Sequence, residues 1–144
     1  PVMDVDGPGP QEAEQEARQL GVDESVSFLG KIDSVAPLLA AADLFLLPSD
    51  AESFGLSALE ALASGAPVVG TNVGGVPEGV ASGETGVLCG VGDTAGMAPA
   101  SMELLEDSVL WKRMSEAAVR DARARFAMDD IVQRYEDLYS AAVG

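Results

Sequence analysis

The fold of this chain is decided by residues 52–67, which read ESFGLSALEALASGAP. A short apolar run, Leu44–Leu47, precedes this stretch, and a second, Pro67–Gly70, follows it. Runs of this length are typical of buried strands, whereas the stretch between them has the composition of a helix that Gly65 ends. The order strand, loop, helix, strand predicts an α/β fold, a Rossmann-like parallel sheet flanked by helices. In such sheets ligands bind at the loops after the strands, so we expect a site in the loop before this helix.

Two carboxylates in this stretch, Glu52 and Glu60, are the candidate functional groups. Glu60 is the only charged residue of the predicted helix, and burying it unpaired in so apolar a segment would be unfavourable. It shares a helical stripe with Ser57 and Ser64, and the simplest interpretation is that solvent covers this stripe. The alternative is that Glu60 and Glu52 face a common ligand from different sides of the helix start.

The start of the helix is suited to an anionic ligand. Unpaired backbone N–H groups and the positive end of the helix dipole lie there, and both favour a phosphate. Gly55 has no side chain to block a close approach. We therefore expect a substrate to bind at Ser53, Phe54, Gly55 and Leu56, beside Glu52 and Glu60.

These residues resemble the E-x7-E signature of retaining glycosyltransferases of the GT-B fold, specifically glycosyltransferase family 4. The resemblance includes Glu52-Ser53-Phe54-Gly55, Glu60 and the trailing Gly65-Ala66-Pro67. Further blocks occur in the family's order and extend the resemblance over nearly the whole chain: Phe28–Lys31, Ala42–Leu44 and Gly70–Glu78. Leu29-Gly30-Lys31 together with Gly70-Thr71-Asn72 is also similar to the N-acetylglucosaminyl L-malate synthases of bacillithiol biosynthesis.

The resemblance implies that residues 1–144 are most of the C-terminal, donor-binding half of a GT-B enzyme, truncated at its N-terminus and without the acceptor-binding domain. It implies a retaining hexosyltransferase that moves a sugar from a UDP-sugar, UDP-N-acetylglucosamine, to a small acceptor, L-malate. No metal is implied, and the nucleotide-sugar is a substrate rather than a cofactor. The diphosphate-clamping Arg and Lys of relatives would lie upstream, so the fragment alone is expected to be inactive.

The resemblance also implies roles for single residues. Glu52 would be the catalytic carboxylate that contacts the sugar ring, and Glu60 would accept hydrogen bonds from the ribose hydroxyls. The amides of Phe54, Gly55 and Leu56 would face the sugar and diphosphate. The loop with Gly30 and Lys31 would hold the nucleotide base, and Lys31 is interpreted as the only basic residue near the site. Relatives often have an arginine where this chain has Ser34, so base stacking there is not carried over.

Composition excludes several other functions. Twenty-four acidic and eight basic residues give a net charge of −16, which disfavours nucleic acid and acidic membranes and indicates an acidic, halophile-like surface. One cysteine and no histidine exclude an internal disulfide, a His/Cys zinc site and a His-dependent triad within these residues. Apolar runs are too short to span a membrane and the first residues are unlike a signal peptide, so we expect a cytoplasmic protein.

Two alternative functions remain open. A non-enzymatic nucleotide-binding or interaction domain could keep this fold without its chemistry, although the intact Glu52 and Glu60 favour the transferase. A nucleotide-sugar 2-epimerase of the same architecture would be expected to carry histidines that this segment lacks.

The remaining pattern predicts the elements around the central unit. Further strands are predicted at Val26–Leu29 and Gly86–Cys89, with Pro1–Asp6 as the end of another and a turn at Asp6-Gly7-Pro8, where Val5 replaces the family's first glycine. Further helices are predicted at Gln11–Leu20, Val35–Ala42 and Val109–Phe126, followed after a break at Met128–Asp130 by a last helix with Ile131, Tyr135, Leu138 and Tyr139 on its apolar face.

Smaller features complete the prediction. Asp93 is expected to cap a helix that either kinks at Pro99 or begins near it. Trp111, Phe126 and Tyr135 are interpreted as packing residues. Gly74-Gly75 is interpreted as a turn before a short helix, with the further hypothesis that it lets a second backbone segment approach the donor.

Overall fold

The structure is a computed structural model that describes residues 9–143. Within that range the elements are helices α1 to α7, one short 3-10 helix and strands β1 to β3. The helices are α1 Pro10–Gln19, α2 Ala36–Ala41, α3 Leu56–Ala63, α4 Val76–Gly79, α5 Thr94–Glu106, α6 Ser108–Phe126 and α7 Met128–Val143. The 3-10 helix is Asp23–Ser25, and the strands are β1 Phe45–Leu47, β2 Val68–Thr71 and β3 Gly86–Cys89. The chain forms two compact units, one up to Ser34 and one from Val35 onward.

The first unit contains α1 and the 3-10 helix. Gly21 follows α1 in the left-handed conformation (φ 68°), and its N–H donates to the carbonyl of Arg18 at 3.1 Å. The N–H of Val22 donates to the carbonyl of Ala17 at 3.0 Å, which completes the glycine-terminated helix end that the sequence predicts. The helix prediction for Gln11–Leu20 is therefore confirmed. The predicted strand and turn at Pro1–Asp6 and Asp6–Pro8 lie outside the described residues.

The predicted strand at Val26–Leu29 is not formed. Its backbone is extended at Val26 (φ −114°, ψ 127°), but none of these residues belongs to a strand ladder in the described part of the chain. Phe28 and Leu29 are 45% and 54% exposed. Ladder hydrogen bonds to a neighbour define a strand, and apolar side chains on an extended backbone do not supply that neighbour.

The second unit is built on a parallel sheet. Its three strands lie in the order β1-β2-β3, with Phe45 beside Val68 and Val69 beside Val87. Parallel neighbours require crossover connections, and α3 and α4 supply them between successive strands. The central prediction, strand, loop, helix and strand over residues 44–70, is confirmed, as is β3 at Gly86–Cys89.

Helices cover both faces of this sheet, so the chain has two apolar clusters. Successive strand residues point to opposite faces, which places Val68 in one cluster and Val69 in the other. The first cluster contains residues of α2, α3 and α6, among them Leu39, Ala58, Leu62 and Ala118. The second contains Met97 and Leu104 of α5 and Met114 of α6. This two-sided burial explains why β2 is completely buried and reads as an apolar run.

The helices after the sheet follow the predicted caps. The side chain of Asp93 accepts a hydrogen bond from the N–H of Gly96 (2.9 Å), and α5 begins at Thr94. The alternative start near Pro99 is wrong, because this cap starts the helix earlier and Pro99 lies inside it. Asp107 caps α6 in the same way, accepting from two N–H groups at 2.9 Å. The predicted helix at Val109–Phe126 is confirmed.

The last helix departs from the prediction in its start and its packing. α7 begins at Met128, directly after the extended residue Ala127 (φ −60°, ψ 130°), so Met128–Asp130 belongs to the helix instead of breaking it. Tyr135 is 57% exposed, and its interpretation as a packing residue is wrong within the described residues, because the side chains around it on α7 are exposed too. Across residues 9–143 no helix combines the length and the apolar character needed to cross a membrane.

Candidate functional site

The candidate site is the loop between β1 and α3, which continues from the carboxyl end of β1 to Gly55. Gly55 is the residue before α3 and has a left-handed backbone (φ 77°, ψ 46°). A Cβ at this position would lie 3.2 Å from Cγ2 of Val76, so both the backbone and the neighbouring side chain favour glycine. The left-handed residue turns the chain sharply into the helix, and the first amides of α3 are thereby presented at the end of the sheet.

The N–H groups at this helix start are without internal partners. Among the described residues, no hydrogen bond is donated by the N–H of Phe54, Gly55, Leu56 or Ser57, and no side chain caps the helix. The first N–H to be paired is that of Ala58, which donates to the carbonyl of Gly55 at 3.0 Å. Four adjacent donors at the positive end of a helix dipole form an arrangement suited to an anion.

In sequence, the two predicted carboxylates lie on either side of this run of donors. Glu52 is partly buried, and its Oε1 accepts a hydrogen bond from the N–H of Ser53 at 3.1 Å. Glu60 is exposed on the second turn of α3. The hydroxyl of Ser64 donates to the backbone carbonyl of Glu60 (2.8 Å) and leaves its carboxylate to solvent or a ligand. Among residues 9–143, no group of three or more acidic, histidine or cysteine side chains is arranged to hold a metal ion.

The turn at Gly74-Gly75 supports the loop through backbone contacts. The N–H of Gly75 donates to the carbonyl of Ser53 at 3.1 Å. A Cβ on Gly74, which is left-handed (φ 54°), would overlap the carbonyl oxygen of Glu52, and one on Gly75 would lie 2.9 Å from Cα of Phe54. The glycines therefore let this backbone approach the loop 52–54. Their contact with a donor stays a prediction.

Thr71 also fixes the loop, a role that was not predicted from the sequence. Its side chain is 1% exposed, and its hydroxyl is shared between the carbonyl oxygens of Leu47 (2.9 Å) and Ser49 (2.7 Å). The register pairs Leu47 with Gly70, so Thr71 lies beside the chain as it leaves β1. The signal in the sequence was a threonine one residue after Gly70. It predicts a hydrogen bond to the end of β1 only if the pairing of Leu47 with Gly70 is already known.

Gly30 and Lys31 belong to the first unit. Both are exposed, and Gly30 has a left-handed backbone (φ 61°) in the predicted loop. Their role toward a nucleotide base stays a prediction.

Arg125 contacts the surroundings of the loop, so the interpretation that no basic residue other than Lys31 lies near the site is wrong, whereas the placement of Lys31 itself stays a prediction. The guanidinium of Arg125 lies 4.8 Å from the ring centroid of Phe126. That ring in turn packs edge-on against Phe54, with centroids 6.3 Å apart and an interplanar angle of 77°. The sequence did not predict this contact of Arg125, because a helical pattern does not show which distant loop a helix end contacts.

Comparison with known proteins gives the family context of this geometry. The family profile described as "Glycosyl transferases group 1" matches residues 3–107. The chain is 48% identical over 125 residues to the N-acetyl-alpha-D-glucosaminyl L-malate synthase of Bacillus anthracis, covering 87% of this chain and 33% of that protein.

Solved structures agree with the sequence comparison. The crystal structure of Anabaena Alr3699/HepE in complex with UDP superimposes with a TM-score of 0.87 at 31% identity, covering 91% of this chain and 36% of that one. The same protein in complex with UDP-glucose superimposes with a TM-score of 0.84 at 32% identity, again over 91% and 36% of the two chains. The predicted fold class, a parallel sheet flanked by helices as in GT-B glycosyltransferases, is confirmed. The chain spans about a third of the length of these relatives.

Proposed function

Because the chain belongs to the glycosyl transferases group 1 family, we propose that it is the donor-binding part of a retaining hexosyltransferase. In this proposal a UDP-sugar binds at the N-terminus of α3. The observation that carries it is the run of unpaired N–H groups from Phe54 to Ser57, flanked by Glu52 and Glu60. Support comes from the UDP and UDP-glucose complexes of the Anabaena protein. The similarity to the Bacillus anthracis synthase supports UDP-N-acetylglucosamine as donor and L-malate as acceptor.

The backbone amides would supply electrostatic stabilisation. When the bond from the anomeric carbon to the diphosphate breaks, negative charge accumulates on the departing UDP. Fixed N–H donors and a helix dipole stabilise such charge without reorganising during the reaction. The acceptor hydroxyl would bond to the anomeric carbon on the face that UDP leaves, and its proton would pass to the departing phosphate. Because this attack retains the configuration, no side chain here has to form a covalent bond to the sugar.

The two carboxylates would divide the recognition of the donor. Glu60 is exposed and would accept two hydrogen bonds from the ribose hydroxyls. Glu52 is partly buried next to Ser53 and would contact the sugar ring, with effects that appear only when a sugar is attached to UDP. Gly30 and Lys31 would contact the base. We propose that residues outside these 144 bind the acceptor and clamp the diphosphate.

The net charge of −16 opposes an anionic ligand at long range, so local groups must overcome it. Five of the eight basic residues lie on α6, whose C-terminal end contacts Phe54. With two acidic residues, Glu116 and Asp121, against these five, α6 has a net charge of +3, opposite in sign to that of the whole chain. Distant acidic residues are screened over about 10 Å at 0.1 M salt.

The proposal is tested by titrating UDP and UDP-N-acetylglucosamine into the 144-residue chain and following the backbone amide resonances of Phe54 to Ser57. We expect these resonances to shift, and we expect Glu60→Gln to weaken both ligands by about 1–3 kcal/mol. Glu52→Gln should leave UDP affinity unchanged and weaken only the UDP-sugar. Glu103→Gln is the matched control, because Glu103 is exposed on α5 and its replacement raises the net charge equally.

Each other outcome has a defined meaning. Absence of UDP-dependent shifts at these amides, or an unchanged affinity in Glu60→Gln, would reject the site. Equal losses of UDP affinity in Glu52→Gln and Glu60→Gln would reject the division of roles. A non-enzymatic nucleotide-binding domain predicts that Glu52→Gln affects UDP and UDP-sugar alike.

A further inference from the structure

We propose that Arg125 and Phe126, at the C-terminal end of α6, are positioning residues that set the conformation of the donor loop 52–55. The inference rests on the proposed function, since it assigns a task toward that same site. Neither residue needs to touch the ligand. Phe126 would act on the loop through its contact with Phe54, and Arg125 through its hydrogen bond to α4.

The first contact is between two aromatic rings. Phe126 meets Phe54 edge-on with a centroid distance of 6.3 Å, inside the range in which such pairs attract each other. Phe54 has a second close neighbour, because the backbone of Gly75 lies so near that an added Cβ would be 3.2 Å from Cδ2 of Phe54. The ring of Phe54 thus contacts both α6 and the 74–75 turn. The backbone of that same residue carries one of the unpaired N–H groups.

The second contact is made by a single guanidinium group. Arg125 lies 4.8 Å from the Phe126 ring centroid, and its Nη1 donates to Oδ2 of Asp121 at 2.9 Å. Its Nη2 donates to the backbone carbonyl of Glu78, in α4. α4 begins directly after Gly75, whose N–H holds the carbonyl of Ser53. The Arg125 side chain therefore joins α6 to the segment that supports the loop. A guanidinium group is planar and has several N–H donors, so it can bind two oxygen acceptors and lie near an aromatic ring at the same time.

The position of α6 itself is fixed elsewhere. The hydroxyl of Ser115 donates to the carbonyl of Gly65, just past the end of α3, at 2.6 Å. Ala58 of α3 and Ala118 and Ala122 of α6 belong to one buried cluster. Because Ser115 contacts the end of α3 and Phe126 the loop before its start, the two helices run antiparallel. Changes at residues 125 and 126 should therefore release the loop while leaving the packing of α3 on α6 in place.

The test compares two pairs of variants of the 144-residue chain. Phe126→Ala is paired with Leu110→Ala, since Leu110 is a partly buried residue of α6 that packs on the other apolar cluster. Arg125→Lys is paired with Arg120→Lys, since Arg120 also has a partner four residues earlier, Glu116 at 3.9 Å, and no described contact with α4 or an aromatic ring. Phe126→Tyr serves as the conservative replacement that keeps the ring.

Two readouts are taken, one without ligand and one with UDP. We expect Phe126→Ala to shift the amide resonances of residues 53–56 and to speed hydrogen exchange of the Gly75 N–H about tenfold, as for a locally opened segment. UDP affinity should fall about tenfold in Phe126→Ala and less in Arg125→Lys, and it should return in Phe126→Tyr. Leu110→Ala should lower the melting temperature without these local effects.

Failure of this inference can be separated from failure of the proposed function. Unmoved 53–56 amides in Phe126→Ala, or equal shifts in Leu110→Ala, would overturn the positioning role. If the amides move but the unaltered chain shows no UDP response, the proposed function fails and the structural role is supported. If UDP binds in a Glu60-dependent manner and Phe126→Ala binds it equally well, the positioning role alone is rejected.

Discussion

The close approach of Gly74 to the donor loop leads to a prediction that can be isolated by a matched pair of substitutions. Gly74 and Gly83 both have left-handed backbones, with φ of 54° and 86°. An added Cβ at Gly74 would overlap the carbonyl oxygen of Glu52, whereas one at Gly83 would have no atom within 4 Å. Replacing each by alanine therefore places a Cβ on a left-handed backbone, but only Gly74→Ala creates a collision with the loop.

The magnitudes follow from these two differences. Left-handed backbone strains an alanine by about 1–2 kcal/mol at either position. A less flexible unfolded chain offsets about 0.4–1 kcal/mol of this in both variants. Gly83→Ala should thus lower the free energy of unfolding by about 0–1.6 kcal/mol. Gly74→Ala must also relieve the overlap with Glu52, and overpacking of this kind costs about 1–3 kcal/mol more.

Urea unfolding of both variants and the unaltered chain measures the difference, provided that the slopes against denaturant agree. The amide resonances of Ser53 and Gly75 should move in Gly74→Ala and stay in place in Gly83→Ala. Equal unfolding midpoints for the two variants would refute the proposed contact between the turn and the loop. If Gly74→Ala does not fold while Gly83→Ala does, the collision destabilises the chain by more than about 1–3 kcal/mol. Backbone strain alone is then excluded as the cause of unfolding.

Two further predictions concern the loop's other support and the charge of the chain. Thr71→Val keeps the shape of a 1% exposed side chain but removes the hydroxyl shared by Leu47 and Ser49, and we expect a loss of about 1–3 kcal/mol in the free energy of unfolding. Thr94→Val, at an exposed position, should change it by less than about 0.5 kcal/mol, and a similar loss in both would contradict the assignment. Because the net charge is −16, the melting temperature should rise between low and molar potassium chloride, and a constant value would show that repulsion among acidic residues does not limit stability.

The sequence predicted those parts of the fold that depend on neighbouring residues. Short apolar runs between glycine and proline identified β1, β2 and β3, and Asp93 identified a helix start by a contact only three residues long. The run of helix-start amides in the site was predicted for the same reason. The N–H groups of Phe54 to Ser57 lack partners because a helix begins there, directly after Gly55, and no knowledge of distant contacts is needed to predict this.

The start of α7 at Met128 and the start of α5 before Pro99 are local errors, whereas the other errors and omissions concern partners that are distant in sequence. Val26–Leu29 has the residues of a strand but forms no ladder, and a strand cannot be inferred without its neighbour. Tyr135 fits an amphipathic pattern, yet that pattern does not establish that a surface covers it. The contacts of Thr71 with the end of β1 and of Phe126 with Phe54 depend on register and helix direction. Neither can be obtained from local periodicity.

The support of the donor loop by main-chain groups has a consequence for divergence within the family. The N–H of Gly75 binds the carbonyl of Ser53, and neither group depends on which side chain position 53 carries. That side chain is exposed, so mutation can exchange it while the path of the loop is inherited unchanged. If the loop binds a sugar as proposed, proteins that share its path can differ in the sugar they bind. A library randomised at position 53 should contain folded chains that differ in ligand preference. A library randomised at Gly74 or Gly75 should contain mostly misfolded chains.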